Sequence, residues 1–172
     1  MKKFCIVLIL LFIGVGVVVL ANIFSNNHEA DYLRVHIRAN SNLIQDQNVK
    51  YKIKDQVVDY LTPLFLDCKT KQQAYYILQD NLANIERVAD KVLVQEGFTY
   101  TCKAKLNNEY FPTRAYQELV LESGFYDALI LELGEAKGDN WWCVVYPPLC
   151  FVEDQKNIEY KSKFIEIIKQ IF

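Results

Sequence analysis

The sequence predicts an α+β fold: a mostly antiparallel sheet of about five strands, two amphipathic helices on one face of it, and a helix at the C-terminus. Three observations predict this class. An alternating strand pattern precedes two segments with helical spacing, several strand patterns then follow without intervening helices, and helical spacing returns at the end. A chain of 172 residues is sufficient for one domain with a modest core.

The N-terminus predicts a targeting segment. Lys2 and Lys3 precede an unbroken apolar run, Phe4 to Ala21, which ends in the small-residue pattern Val19-x-Ala21. The run is near the lower limit of the roughly 17–25 residues of a spanning helix, so an uncleaved anchor stays open beside a cleaved signal peptide. Either outcome places the rest of the chain outside the cytoplasm. We therefore divide the chain into a signal (1–21), a linker (22–31), a domain (32–152) and a tail (153–172).

The domain opens with a strand in which apolar and polar residues alternate, and we expect one buried side. Its apolar side chains are Leu33, Val35 and Ile37, and its polar side chains are Arg34, His36 and Arg38.

Helical spacing follows from about Ile44 to Phe65, with Asn42-x-x-Gln45 as a predicted capping box and Asp46 near the positive helix end. A second helix begins at the capping box Thr70-x-x-Gln73 and ends at Gly97.

The second half of the domain predicts strands. Alternation returns at Phe98–Leu106, and two more strands are expected around 115–121 and 125–133. The segment from Gly134 to Gly138 is then expected to form a hairpin loop. In the last strand every residue from Trp141 to Tyr146 is apolar, so the strand should be covered on both faces, and Pro147-Pro148 should end it.

The tail has a lysine-rich segment with helical spacing, from Lys161 to Phe172. It predicts a helix that closes the core or, alternatively, one that makes peripheral contact with a membrane or a partner.

Charge and cysteine content restrict the function. Removing Lys2 and Lys3 from the 19 basic residues leaves 17 against 21 acidic ones, a net charge of −4 that argues against nucleic acid as a partner.

Beyond Cys5 the chain has four cysteines, an even number typical of an exported disulfide protein. The Pro-Pro reversal can bring Cys150 beside Cys143, and a disulfide there would stabilise the fold by roughly 2–3 kcal/mol. Whether Cys68 and Cys102 also pair stays open.

No catalytic, metal or cofactor motif emerges. After the signal only His28 and His36 remain, and no nucleophile motif accompanies either. The spacing of Cys143 and Cys150 is not that of a zinc site, and the glycines around Glu135 lack the pattern of a phosphate loop. We therefore expect no metal, no cofactor and no enzyme; an exported hydrolase or cell-wall-modifying enzyme using His36 is the alternative.

Trp141 and Trp142 must point to opposite faces of their strand. One can fill the core, and the other is either covered by the chain after Pro147 or awaits a partner.

Three segments together resemble the stage II sporulation protein R family: L-R-V-H-I-R-A-N-S (33–41) followed by D-Q-N-V-K (46–50), Y-F-P-T-R-A-Y (110–116) and G-E-A-K-G-D-N-W-W-C-V-V-Y-P-P-L-C-F (134–151). The resemblance runs from about Tyr32 to Val152. Cys68, Cys102 and the lysine-rich tail lie outside the family pattern.

The resemblance implies a secreted signal made in the forespore and exported between the forespore and mother-cell membranes. There it would trigger a membrane-embedded aspartic protease, stage II sporulation protein GA, to process pro-sigma-E. Polar and aromatic groups are expected on a sheet face that the helices leave open. We therefore predict a receptor-contact surface there, formed by Arg34, His36, Arg38, Asn40, Ser41, Arg114, Trp141, Trp142, Pro147 and Pro148.

Overall fold

The computed structural model describes residues 32–116 and 119–150. The elements in chain order are β1 (Leu33–Arg38), α1 (Ile44–Phe65), α2 (Lys71–Gln95), β2 (Cys102–Phe111), β3 (Arg114–Tyr116), β4 (Leu119–Leu121), β5 (Gly124–Leu133) and β6 (Asn140–Tyr146). The predicted signal, linker and C-terminal helix lie outside the described residues. Over those same two ranges, no helix combines the length and the apolar character needed to cross a membrane.

The predicted fold class is wrong about the sheet, which is mixed and not mostly antiparallel with five strands. Four strands form one mixed sheet in the order β2-β5-β1-β6, in which β1 runs parallel to β5 and antiparallel to β6. The short strands β3 and β4 form a separate two-stranded sheet. β1 is thus inserted between β5 and β6, a non-local pairing that residue patterns along the chain cannot reveal.

The insertion of β1 corrects two further predictions. β1 lies in the middle of a sheet that has the helices on one face and β3 and β4 on the other, so Arg34 and His36 are buried together with Val35 and Ile37. The segment between β5 and β6 is not a hairpin loop, because those strands are not neighbours. It crosses the C-terminal end of β1 instead.

One face of the sheet, the helix face, carries the main core. Apolar side chains of β1, β5 and β6 pack there against both helices; they include Leu33, Val35, Ile37, Leu129, Leu131, Cys143, Val145, Ile53, Leu61, Leu78 and Ile85. The second helix has its predicted cap, since the Thr70 hydroxyl accepts a hydrogen bond from the Gln73 amide at 3.2 Å. The predicted cap of the first helix is wrong: its N-cap is Leu43, which provides no side-chain hydrogen bond.

The opposite side of the sheet, the hairpin face, is covered in part by β3 and β4. A smaller core lies between this pair of strands and the four-stranded sheet. It is made of Tyr32, Phe111, Leu121, Tyr126, Ala128, Ile130 and Val144. The sequence predicted one strand over 115–121, whereas the structure places two strands there, which pair as an antiparallel hairpin.

The last strand is an edge strand covered on both faces, since Val145 belongs to the helix-face core and Val144 to the hairpin-face core. It ends at Tyr146, before Pro147, as predicted. The chain then reverses through a cis Tyr146–Pro147 peptide. Cys150 lies at bonding distance of Cys143, with their Cα atoms 6.0 Å apart, within the range of disulfides. Cys68 and Cys102 are buried free thiols.

Candidate recognition surface

The hairpin face contains a fully buried cation, Arg34. One of its amino groups donates a hydrogen bond to the Tyr116 hydroxyl at 2.9 Å. Its Nε and Nη1 atoms have no hydrogen-bond partner among the described residues. The guanidinium carbon instead lies 4.2 Å from the centre of the Phe111 ring and 4.8 Å from that of Tyr126. Cation–π attraction to these desolvated rings therefore offsets part of the cost of burying the charge.

Next to Arg34 along the same face, His36 is enclosed by aromatic rings. Its ring centre lies 3.7 Å from that of Trp142 in a stacked arrangement and 5.8 Å from that of Phe111. Burial is the largest influence on the pKa of His36 and lowers it to about 4. Hydrogen bonding to Asn140 acts in the opposite direction, the charge of Arg38 lowers the pKa further, and Glu109 raises it. His36 is therefore neutral at physiological pH.

At the C-terminal end of β1, Arg38 forms a partly exposed ion-pair cluster. It donates hydrogen bonds to Glu109 at 2.6 Å and to Glu132 at 2.8 Å, and Lys105 donates to Glu132 at 2.9 Å. Hydrogen bonding to Lys105 is the largest contribution that holds the pKa of Glu132 below its usual value. The cluster thus links β1, β2 and β5 on the hairpin face.

The chain leaving β1 is tied down by a buried carboxylate, Asp46. It accepts hydrogen bonds from the Ser41 hydroxyl, from the Asn40 amide at 2.9 Å and from the Tyr100 hydroxyl at 2.6 Å. Burial alone would raise the pKa of Asp46, but the hydrogen bonds, led by that from Ser41, outweigh it and lower the pKa. Burial of Tyr100 and its hydrogen bond to Asp46 both raise the pKa of the Tyr100 phenol.

The segment between β5 and β6 fits closely over this turn. The Asn40 side-chain oxygen accepts from the Glu135 amide at 2.9 Å, and the Ala39 carbonyl accepts from the Gly138 amide at 2.9 Å. A Cβ atom at Gly138 would lie within 3.0 Å of the Ser41 carbonyl oxygen, so the backbones approach too closely for any other residue. Two of the segments that carry the family resemblance are therefore packed against each other.

The two tryptophans lie on opposite faces, as their spacing predicted. Trp141 packs on the helix-face core, with the Lys54 ammonium 5.7 Å from its ring centre. Trp142 packs on the hairpin face, where the guanidinium of Arg114 lies 5.8 Å from its ring centre. Both rings are half-buried, whereas Arg114 is exposed.

The predicted receptor-contact residues are thus only partly together in space. Arg34, His36, Arg38, Arg114 and Trp142 share the hairpin face, but Arg34 and His36 are beneath its surface. Asn40 and Ser41 are half-buried at the neighbouring turn.

The remaining predicted contacts lie elsewhere, because Trp141 faces the helices and both prolines of the Pro147-Pro148 pair are buried. Their contact with a receptor stays a prediction, and the solvent-accessible part of this surface is centred on Arg38 and Arg114.

Sequence patterns did not indicate the polar partners of this region. Glu109 and Glu132 are far along the chain from Arg38, and Tyr100 is far from Asp46, so no local pattern indicates these contacts. Over residues 32–116 and 119–150, no group of three or more His, Cys, Asp or Glu side chains is arranged to hold a metal ion.

Comparison with known proteins identifies the family to which the three resembling segments pointed. The family model of stage II sporulation protein R matches residues 29–156. Stage II sporulation protein R of Bacillus subtilis (strain 168) is 34% identical over 121 residues, which are 70% of this chain and 54% of that protein. The chain therefore spans about half the length of this relative. No solved structure matches the chain.

Proposed function

The chain belongs to the stage II sporulation protein R family, and on that premise we propose that it is an exported signalling protein of sporulation. In this proposal it acts between the forespore and the mother cell. There it triggers a membrane-embedded aspartic protease, stage II sporulation protein GA, to process pro-sigma-E. The family match across the whole described domain carries the proposal.

The environment of His36 supports a signal rather than a hydrolase. A catalytic imidazole must reach its substrate and must exchange a proton near the working pH. His36 is 2% exposed, is stacked on Trp142, and has its pKa lowered to about 4 by burial. These features disfavour the alternative of an exported hydrolase or cell-wall-modifying enzyme that uses His36.

The accessible cations of the hairpin face support recognition of a partner protein there. Arg114 is exposed, and its guanidinium covers the half-buried Trp142. Arg and Trp are enriched among the residues that dominate binding energy at protein interfaces. We therefore place the protease contact around Arg114, Arg38 and Trp142.

Reconstitution tests the function. The full chain is co-expressed with the candidate protease and pro-sigma-E in a non-sporulating host, and the sigma factor is followed by immunoblot. We expect the shortened form only when all three proteins are present. Unchanged pro-sigma-E in the presence of a folded, exported chain and an expressed protease would contradict the proposal.

A charge-reversal pair tests the contact surface in the same host. Arg114→Glu should reduce processing at least about tenfold, since exposed interfacial charges set association rates and exclude wrong partners. Lys91→Glu makes the same charge change on the exposed surface of α2, away from the hairpin face, and should leave processing unchanged. Equal activity of the two variants would place the contact elsewhere.

A further inference from the structure

β2 is the other edge strand of the four-stranded sheet, and only its first half is protected. The backbone amide of Cys102 donates a hydrogen bond to Asp90 at 2.7 Å, and that of Ala104 donates to Glu86 at 2.8 Å. Both carboxylates belong to α2, which therefore caps the outward groups at the start of this edge. Natural proteins commonly block strand edges in such ways to prevent pairing with other chains.

The second half of the β2 edge has no such cap. In an antiparallel strand the outward-pointing backbone groups belong to every second residue. Since β2 pairs with β5 in one unbroken register, the outward groups after Ala104 are those of Leu106, Asn108 and Tyr110. Within residues 32–116 and 119–150, no hydrogen bond is formed with the outward backbone groups of these three residues.

The uncapped half also carries exposed apolar surface. Tyr110 is 58% exposed and Phe125, beside it on β5, is 62% exposed. Their rings are in edge-to-face contact, with centres 5.7 Å apart. An unpaired strand edge next to an exposed aromatic pair is the combination that strand addition uses, in which main-chain bonds give affinity and side chains give specificity.

We propose that this edge binds a second copy of the chain, so that β2 pairs antiparallel with the partner's β2 about a twofold axis through Asn108. The free groups define this register. A centre at Leu106 would require the amide of Ala104, which Glu86 already holds, and a centre at Tyr110 would extend past the end of β2 at Phe111. Only the centre at Asn108 uses all three free residues and no others.

The side chains are self-complementary in this register. Leu106 lies opposite the partner's Tyr110 on the helix face, an aliphatic–aromatic pair of the kind that stabilises sheets. On the hairpin face, Asn107 lies opposite the partner's Glu109. Lys105 is a diagonal neighbour of the partner's Glu109; the two copies of Glu109 are diagonal neighbours as well, and each is paired with Arg38 of its own chain. No like charges are directly opposed, as a closed twofold interface requires. This inference goes beyond the proposed function and does not depend on it.

Cysteine cross-linking of the full chain tests the register. Asn108→Cys places two thiols directly opposite each other at about 5.5 Å between Cα atoms, within disulfide reach. Asn107→Cys is the matched control: it is equally exposed, but its two copies are offset by two residues, about 7 Å along the strands, which is beyond that reach. We expect a band of twice the chain mass on a non-reducing gel for Asn108→Cys alone, at least tenfold above that for Asn107→Cys and the unchanged protein.

A proline variant tests the pairing without a new thiol. Asn108→Pro removes an outward amide that the β2–β5 ladder does not use, so the fold should persist. Dimerisation measured by analytical ultracentrifugation should weaken about 30-fold, because one hydrogen bond of about 1 kcal/mol is lost from each chain.

Three results would overturn the proposal. The first is equal cross-linking of the two cysteine variants. The second is a monomer whose amides at 106, 108 and 110 resist hydrogen exchange, which would place a segment of the same chain on the edge. The third is cross-linking to a protein of different mass, which would assign the edge to a heterologous strand.

Discussion

Lowering the pH should unfold this protein partly through one buried ring, that of His36. In the unfolded chain a histidine binds a proton near pH 6.5, whereas burial lowers the pKa of folded His36 to about 4. Between these values the unfolded chain holds more protons, so stability is complete above about pH 6.5 and falls as the pH decreases. At about 1.4 kcal/mol for each pH unit, the loss amounts to about 3 kcal/mol.

The measurement compares the unchanged protein with His36→Phe, which keeps an aromatic ring between Phe111 and Trp142 but cannot titrate. Urea unfolding followed by tryptophan fluorescence gives the unfolding free energy at about pH 7 and about pH 4. Carboxylates titrate in both proteins and cancel in the difference. We expect the unchanged protein to lose about 3 kcal/mol more than His36→Phe over this range. Equal losses, or an NMR titration of His36 near pH 6.5, would refute the assignment of a neutral, buried ring.

Two further predictions concern the turn around Asp46. Tyr100→Phe should lower the unfolding free energy at neutral pH by about 1.5–3 kcal/mol, because it removes a hydrogen bond to a buried carboxylate; Tyr76→Phe, at an exposed helix position, should change it by less than about 0.5 kcal/mol. Similar losses from both variants in urea unfolding would argue against an ionised Asp46. Gly138→Ala should cost about 1–3 kcal/mol, since its Cβ would meet the Ser41 carbonyl oxygen, and an unchanged thermal midpoint would show that this close approach does not exist.

Local patterns in the sequence predicted the local structure. The spacing of apolar residues located α1 at Ile44–Phe65, and the Thr70 cap, the end of β6 and the opposite faces of Trp141 and Trp142 also followed from sequence. Each of these features depends on residues that are close along the chain. The resemblance to the stage II sporulation protein R family, which whole motifs carried, is confirmed by the family match and by the related protein.

The non-local features were beyond prediction. Alternation in β1 indicated one polar side and therefore one exposed side, but Arg34 and His36 are buried. The polarity pattern misled because Phe111, Tyr126 and Trp142, from three other strands, provide aromatic surfaces that accept a cation and a neutral imidazole. Nothing along β1 itself signals those rings, nor the placement of β1 between β5 and β6.

The placement of β1 also separates the parts of the family motifs that pack on each other from the parts that a partner could touch. Ala39 to Ser41 and Glu135 to Gly138 hold each other where the chain crosses the end of β1, so their first consequence is architectural. A partner that approaches the hairpin face meets Arg114 and Arg38, not the buried Arg34. Substitutions in Ala39–Ser41 or Glu135–Gly138 should therefore reduce activity only in proportion to lost folding. If the proposed function holds, substitution of Arg114 should reduce pro-sigma-E processing while the urea midpoint of unfolding stays unchanged. A loss of processing without a loss of stability would then identify Arg114 as a recognition residue.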